Sequence, residues 1–252
     1  MLTHALSAYV YLRFSDFLSW SERHELRQIV QSSTPTMTSE QQAATTNFLN
    51  HGAPIVEHLP ISVYFGADQP EQNTTYMSIA SCLQHSFSRG NIHIISADPT
   101  VPPAIDPKYL EHPADKYLLR KSAQLIHGFA TSPLMAAVVD SEKEPGPQVT
   151  SDSDWDAWVE DVVRTEFHPI GTAAMTPECD GGVVDPKTLK VYRTANVRVV
   201  DLSIAPCECL RVCYTPPRAD TSAVSGSVHI SAHPMSLAYA IGERAATLIL
   251  SS

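Results

Sequence analysis

The sequence is poor in glycine, in basic residues and in long apolar runs. Only 10 of its 252 residues are glycine, and 17 lysines and arginines oppose 27 aspartates and glutamates. The formal net charge of -10 at pH 7 argues against nucleic-acid binding, because phosphates would be repelled. No apolar run reaches the ~18 residues of a membrane span. The N-terminus lacks the basic start and continuous apolar block of a signal peptide.

The cysteines do not form a disulfide framework, since they number five and three of them cluster near the C-terminus. That cluster, Cys207, Cys209 and Cys213, does not have the spacing of a zinc site, and no histidine pair at ligand spacing accompanies it. The sequence therefore predicts no metal. Hydrophobic residues make up 43% of the chain, enough for the core of one large or two small domains.

Hydrophobic periodicity predicts five helices and four strands. The predicted helices are residues 21–31, 39–52, 113–130, 154–166 and 235–250. The predicted strands are residues 61–65, 76–83, 91–96 and 197–200. The last strand is apolar and ends at the carboxylate of Asp201, the usual place for a ligand contact in an α/β sheet.

Two histidines in the last third of the chain precede prolines. His168-Pro169 is followed by Gly171 and small residues, which predicts an imidazole on a stiff turn with space in front of it. His233-Pro234 opens the last predicted helix, and proline suits a first helical position because it has no N–H to leave unpaired. If the two elements converge, the imidazoles can act as an acid/base pair.

Four motifs in this order resemble the C-terminal signature of the glucose-methanol-choline (GMC) oxidoreductases. They are His168-Pro-x-Gly-Thr-x-x-Met175, Gly181-Gly-Val-Val-Asp-Pro186, Arg198-Val-Val-Asp-x-Ser203 and the helix-opening His233. The resemblance extends from about residue 81 to the end of the chain. It implies FAD as cofactor and oxidation of the CH–OH group of a small-molecule alcohol.

The resemblance also implies roles for individual residues. His168 would be the general base, and His233 would hydrogen-bond the substrate oxygen. The implied cofactor contacts are Phe167, Asp201, Leu202, Pro234 and Met235. Two alternatives stay open, since each histidine could be a packed core residue and Asp201 could simply cap a turn.

The fold that the resemblance implies is α+β, with an antiparallel sheet backed by helices as the substrate-binding domain. Residues 1–165 would form this substrate-binding-like region. Residues 166–252 would form a catalytic segment containing the C-terminal strand and helix of an incomplete Rossmann-like FAD domain. Because no G-x-G-x-x-G motif occurs anywhere in the sequence, the dinucleotide-binding half is expected to be missing, and the chain to be a truncated form.

Residues 207–226 separate the third and fourth motifs by more than the family pattern does. The segment is interpreted either as a translated intron or as a true surface insertion. The truncation also leaves a second function open, a catalytically inactive fragment that binds a small molecule or a partner. A metal hydrolase is disfavoured because the histidines lack ligand spacing. The sequence does not predict the oligomeric state.

Overall fold

In the computed structural model of the chain, residues 8–33, 46, 48–50, 54–205 and 233–251 are described. The chain divides into two compact units. The first comprises Met1–Pro35, Leu49–Arg89 and Lys108–Glu166, and the second comprises Thr36–Phe48, Gly90–Pro107 and Phe167–Ser252. Most of the predicted helix 39–52 and all of segment 207–226 lie outside the described residues. Assigning substrate binding to 1–165 and catalysis to 166–252 stays a prediction.

The first unit combines an antiparallel sheet with helices. Its elements are β1 (Val10–Leu12), α1 (Phe14–Phe17), α2 (Trp20–Ser33), β2 (Val56–Ile61), β3 (Ser78–Leu83), α3 (Pro113–Ala130) and α4 (Asp152–Val162). The strand order is β1-β2-β3, and Glu57 of β2 faces Cys82 of β3 in the register. Helix α3 contacts β3, α2 and α4, so it is the central helix of this unit.

Helix α3 begins and ends where its periodicity predicts. His112 caps it by accepting a hydrogen bond from the Ala114 N–H, and Pro113 occupies the first turn. Its buried face is more polar than the pattern indicates, because Asp115 and Arg120 are both buried. Asp115 accepts hydrogen bonds from two backbone N–H groups after β3, while Arg120 pairs with carboxylates of α4. The helix is thus held by buried charges as well as by apolar packing.

A buried polar chain joins the sheet to α3. His58 Nε2 on β2 lies 2.7 Å from Ser122 Oγ on α3, and Ser122 Oγ lies 2.6 Å from Ser81 Oγ on β3. Because His58 is only 7% exposed, burial disfavours its charged form and lowers its pKa to about 4. The imidazole is therefore neutral in the folded protein at neutral pH.

We expect the free energy of unfolding to decrease as the pH falls from 6.5 to about 4, because in this window the unfolded chain binds a proton at His58 and the folded protein does not. The pKa difference corresponds to about 3 kcal/mol. Denaturant titrations across this pH range measure it. His58→Gln should remove this part of the pH dependence, whereas His24→Gln, at an exposed position of α2, should retain it. An unchanged pH dependence in His58→Gln would contradict the assignment.

The predicted strand at 61–65 is wrong. The strand is Val56–Ile61, and the chain then bends. Residues 62–65 are instead held as a loop by side chains: Phe65 N donates to Ser78 Oγ at 2.9 Å, and the Tyr64 hydroxyl donates to Glu144. The alternation of apolar residues in this segment therefore does not correspond to a strand. The strand predicted at 76–83 is found at Ser78–Leu83.

In the part of the second unit that the structure describes, irregular segments pack against the C-terminal helix. Its elements are β4 (Asn91–His93), β5 (Ala104–Asp106) and α5 (Met235–Leu250), and β4 and β5 pair as an antiparallel hairpin. The core consists of Met175, Val184, Leu189, Ile204 and Ala245. Helices with small antiparallel sheets confirm the predicted α+β class. No helix in the described ranges combines the length and apolarity needed to cross a bilayer.

The predicted buried strand at 197–200 is wrong. Within the described residues this segment forms only an isolated bridge, between Arg198 and Lys190. Val197 is 53% exposed and Val200 is 38% exposed, so the apolar run is not enclosed by neighbouring strands. A run of β-branched residues becomes a central strand only where partner strands flank it, and here the chain passes directly into the 3₁₀ turn Leu202–Ile204.

Helix α4 also differs from its predicted bounds of 154–166. It begins two residues earlier because Ser151 caps it, accepting from Asp154 N while the Asp154 carboxylate accepts from Ser151 N. It ends at Val162, since Val163 already has ψ 133. The apolar residues Trp155 and Val159 face the core as predicted.

Candidate functional site

The second unit brings His168 and His233 together. Their ring centroids are 4.8 Å apart and the ring planes meet at 79°, an edge-to-face arrangement. The two residues are far apart in sequence and come from a loop and from the start of a helix. Of two neighbouring imidazoles, one can accept a proton while the other donates a hydrogen bond, which is the division of labour that acid/base chemistry requires.

The loop that carries His168 has an unusual backbone. Phe167 has φ 65 and Gly171 has φ 82, so the chain adopts left-handed geometry on both sides of the histidine. Glycine adopts this geometry without a steric penalty, whereas phenylalanine does not. Between them, Pro169 fixes its own φ and disfavours helical geometry at His168.

Backbone hydrogen bonds hold the far end of this loop. Ala173 N donates to Ser203 O at 2.9 Å, and Met175 N donates to Ile204 O at 2.9 Å. These bonds connect the first histidine motif to the 3₁₀ turn Leu202–Ile204, whose Ile204 is part of the core. These two hydrogen bonds could not be predicted from the sequence, because backbone hydrogen bonds do not depend on residue type.

His233 is held at the N-terminus of α5. Pro234 occupies the position before the helix and accepts a hydrogen bond from Ala238 N at 3.0 Å. No side chain caps this helix, so its positive end is not neutralised by a residue of its own. Ala245 anchors the helix in the core. The helix thus begins at Met235 as predicted, but Pro234 is its N-cap residue and not its first helical residue.

The residues predicted to contact a cofactor have different surroundings. Phe167 and Met235 are 76% and 69% exposed, so both large apolar side chains are accessible. Pro234 is buried. The carboxylate of Asp201 accepts a hydrogen bond from Ser203 N at 2.8 Å and caps the turn that Leu202 begins. The turn-capping alternative for Asp201 is therefore realised, and a cofactor contact by these five residues stays a prediction.

Comparison with known proteins identifies the family. A family model described as GMC oxidoreductase matches residues 86–215, about half of the chain. The chain belongs to the GMC oxidoreductase family. Among its relatives, the GMC oxidoreductase family protein Mala s 12 of Malassezia sympodialis is 38% identical over 174 residues, which are 69% of this chain and 25% of that protein. An alcohol dehydrogenase [acceptor] of Pseudomonas putida is 40% identical over 119 residues, which are 47% of this chain and 21% of that protein.

A solved structure shares the fold. Formate oxidase from Aspergillus oryzae RIB40, studied for the effect of a mutation on FAD modification, superposes with a TM-score of 0.75 at 23% identity. The match covers 98% of this chain and 38% of the oxidase. The chain thus spans about a quarter of the length of the two relatives and little more than a third of this structure. The prediction of FAD as the cofactor of the family is confirmed.

Proposed function

We propose that this chain carries the catalytic histidines of an FAD-dependent oxidoreductase acting on the CH–OH group of an alcohol, with His168 as general base and His233 as hydrogen-bond donor to the substrate oxygen. The observation that carries the proposal is the 4.8 Å contact between the two imidazole rings. Family membership supports an oxidoreductase, and the name of the Pseudomonas putida relative supports an alcohol as substrate.

The chemistry needs a proton acceptor and a hydride acceptor. Bound FAD supplies the hydride acceptor. A ring nitrogen of His168 takes the hydroxyl proton. At the same time the carbon loses its hydrogen as hydride, with both electrons of the C–H bond, so that a carbonyl is formed. His233 holds the oxygen during this change, which orients the C–H bond and stabilises the negative charge that develops. Base catalysis of this kind is worth ~10²–10⁴ in rate.

The described residues fit the ring end of the cofactor. Phe167 directly precedes one histidine of the pair, and Met235 follows the other by two residues. Both offer exposed apolar surface, and a flat heteroaromatic ring packs against such surface. The uncapped N-terminus of α5 favours negative charge in front of it. The sequence contains no glycine-rich phosphate-binding motif, so the pyrophosphate would have to be held by other polypeptide.

Fluorescence titration of FAD with the purified chain tests the fit. We expect quenching of flavin fluorescence on binding, and we expect Met235→Glu to weaken binding about tenfold, or about 1.4 kcal/mol, because the substitution removes apolar contact with the ring and a carboxylate at this position would have to give up its hydration. The matched control is Leu250→Glu, at an exposed apolar position in the last turn of the same helix, which should bind FAD like the wild type.

The alternative is a catalytically inactive fragment that acts as a binding module. The missing glycine-rich motif is the observation that favours it. The binding-module alternative predicts no flavin binding at any FAD concentration that the titration reaches. The flavin fluorescence should then be the same with the wild type and with Met235→Glu. Flavin binding that Met235→Glu weakens would favour the enzyme.

A further inference from the structure

Phe167 combines backbone strain with an exposed side chain. Its φ of 65 lies in the left-handed region, which is sterically costly for a bulky residue. In the core of the same unit, Leu189 also has a positive φ of 57, but its side chain is 2% exposed and packing offsets the cost. Phe167 is 76% exposed, so burial in the core offsets little of the cost there. A strained backbone directly before a residue of the candidate site points to a role in positioning that residue.

The residues around Phe167 restrict the loop, so the φ of Phe167 has a large effect on the direction of the His168 side chain. Pro169 fixes its own φ and narrows the backbone choices of His168 by disfavouring helical geometry there. Beyond the glycine turn, Ala173 is tied to Ser203 by a backbone hydrogen bond. With the loop stiff after the histidine and anchored beyond it, the direction of the His168 side chain depends on the torsion immediately before it.

We propose that the left-handed backbone of Phe167 positions the His168 imidazole against His233, so that Phe167 is a positioning residue through its main chain. A φ in the ordinary region, about -60 to -160°, would turn the following segment by more than about 120°. Since consecutive Cα atoms are about 3.8 Å apart, such a turn moves the imidazole by several ångströms. That displacement is comparable with the 4.8 Å between the two ring centroids, and it would end the contact.

The inference rests on the proposed function for its significance, but its test does not require activity. In the full chain with isotope-labelled histidine, a nuclear Overhauser effect between the ring protons of His168 and His233 reports the contact directly. Phe167→Asn and Phe167→Gly should keep this signal, because both residues adopt left-handed geometry readily. Phe167→Asn should also raise the midpoint of thermal unfolding, since the strain is relieved. Phe167→Val should lose the signal, because a β-branched residue is a genuine outlier in this region.

The matched control is Asn73→Val. Asn73 is exposed and has φ 61 in the first unit, so the substitution places valine on a left-handed backbone away from the histidines, at a cost at least as large, and should leave the ring signal unchanged. A folded Phe167→Val variant that keeps the signal would overturn the proposal. Loss of the signal in Phe167→Asn would overturn it as well, because the phenyl ring and not the backbone would then hold the pair. This second outcome decides the matter even if the valine variant does not fold. Absence of flavin binding with the signal pattern intact would count against the proposed function alone.

Discussion

Replacing His168 by alanine should lower kcat/KM for alcohol oxidation by ~10²–10⁴, because the variant has no group to take the hydroxyl proton as hydride leaves the carbon. Dye-coupled assays with the chain saturated with FAD measure this ratio. FAD affinity should stay close to that of the wild type, since the imidazole is assigned to the substrate and not to the cofactor. The loss should therefore appear in kcat rather than in cofactor binding.

Two controls show whether the loss of turnover in His168→Ala is specific to the histidine pair. His93→Ala removes an exposed histidine of β4 and should leave turnover unchanged. The double variant of His168 and His233 should lose little more than the more damaging single variant, because residues that act as a unit are not additive. Turnover of His168→Ala within about twofold of the wild type would contradict the assignment of the general base.

The largest effect on stability is expected at Asp115. Its buried carboxylate accepts hydrogen bonds of 2.7 Å from both Phe87 N and Ser88 N, and so connects the first turn of α3 to the segment after β3. Asp115→Ala leaves two backbone N–H groups without these acceptors. We expect a loss of about 3 kcal/mol in the free energy of unfolding, since hydrogen bonds to charged groups are among the stronger ones and unsatisfied buried donors are costly.

Asp98 provides the matched control for this change. Its exposed carboxylate accepts from Thr100 N at 2.9 Å, the same type of bond in solvent. Asp98→Ala should leave the midpoint of urea unfolding nearly unchanged, and Asp115→Asn should lie between wild type and Asp115→Ala because one acceptor oxygen remains. Equal midpoints for Asp115→Ala and Asp98→Ala would show that the buried connection contributes nothing special.

The elements that the sequence predicted well are those whose signals are local. Helix α3 has its periodicity, a capping histidine and Pro113 in its first turn, and both of its bounds are confirmed. Helix α5 likewise begins directly after His233-Pro234. In each case the side chains that define the helix ends act on backbone groups only a few residues away, so the pattern needs no knowledge of the rest of the fold.

The two predicted elements that do not exist are strands, because a strand exists only through its partners. Residues 61–65 and 197–200 have strand-like composition, yet the first is a loop tied down by Ser78 and Glu144, and the second has a single bridge. The buried charges of α3 also escaped prediction. Asp115 and Arg120 are ordinary surface residues by type, and their partners lie elsewhere in the chain.

The meeting of the two histidines was predictable from the motifs, whereas the backbone geometry around them was not. The motifs selected His168 and His233 correctly as the residues that meet, since the structure brings their rings into contact. The left-handed backbone of Phe167 could not be foreseen, because the preference of phenylalanine is for ordinary φ values and the cost is imposed by the loop around it. The cofactor contacts expected of Asp201 and its neighbours stay predictions.

Anaerobic mixing of the FAD-loaded chain with a primary alcohol, followed by stopped-flow absorption, tests the central claim most directly. If the histidine pair removes the hydroxyl proton while hydride passes to the cofactor, the visible absorption of the flavin should bleach in a single exponential whose rate saturates with alcohol concentration. Flavin that stays bound and fully coloured at saturating concentrations of aliphatic, aryl and sugar alcohols would contradict the claim.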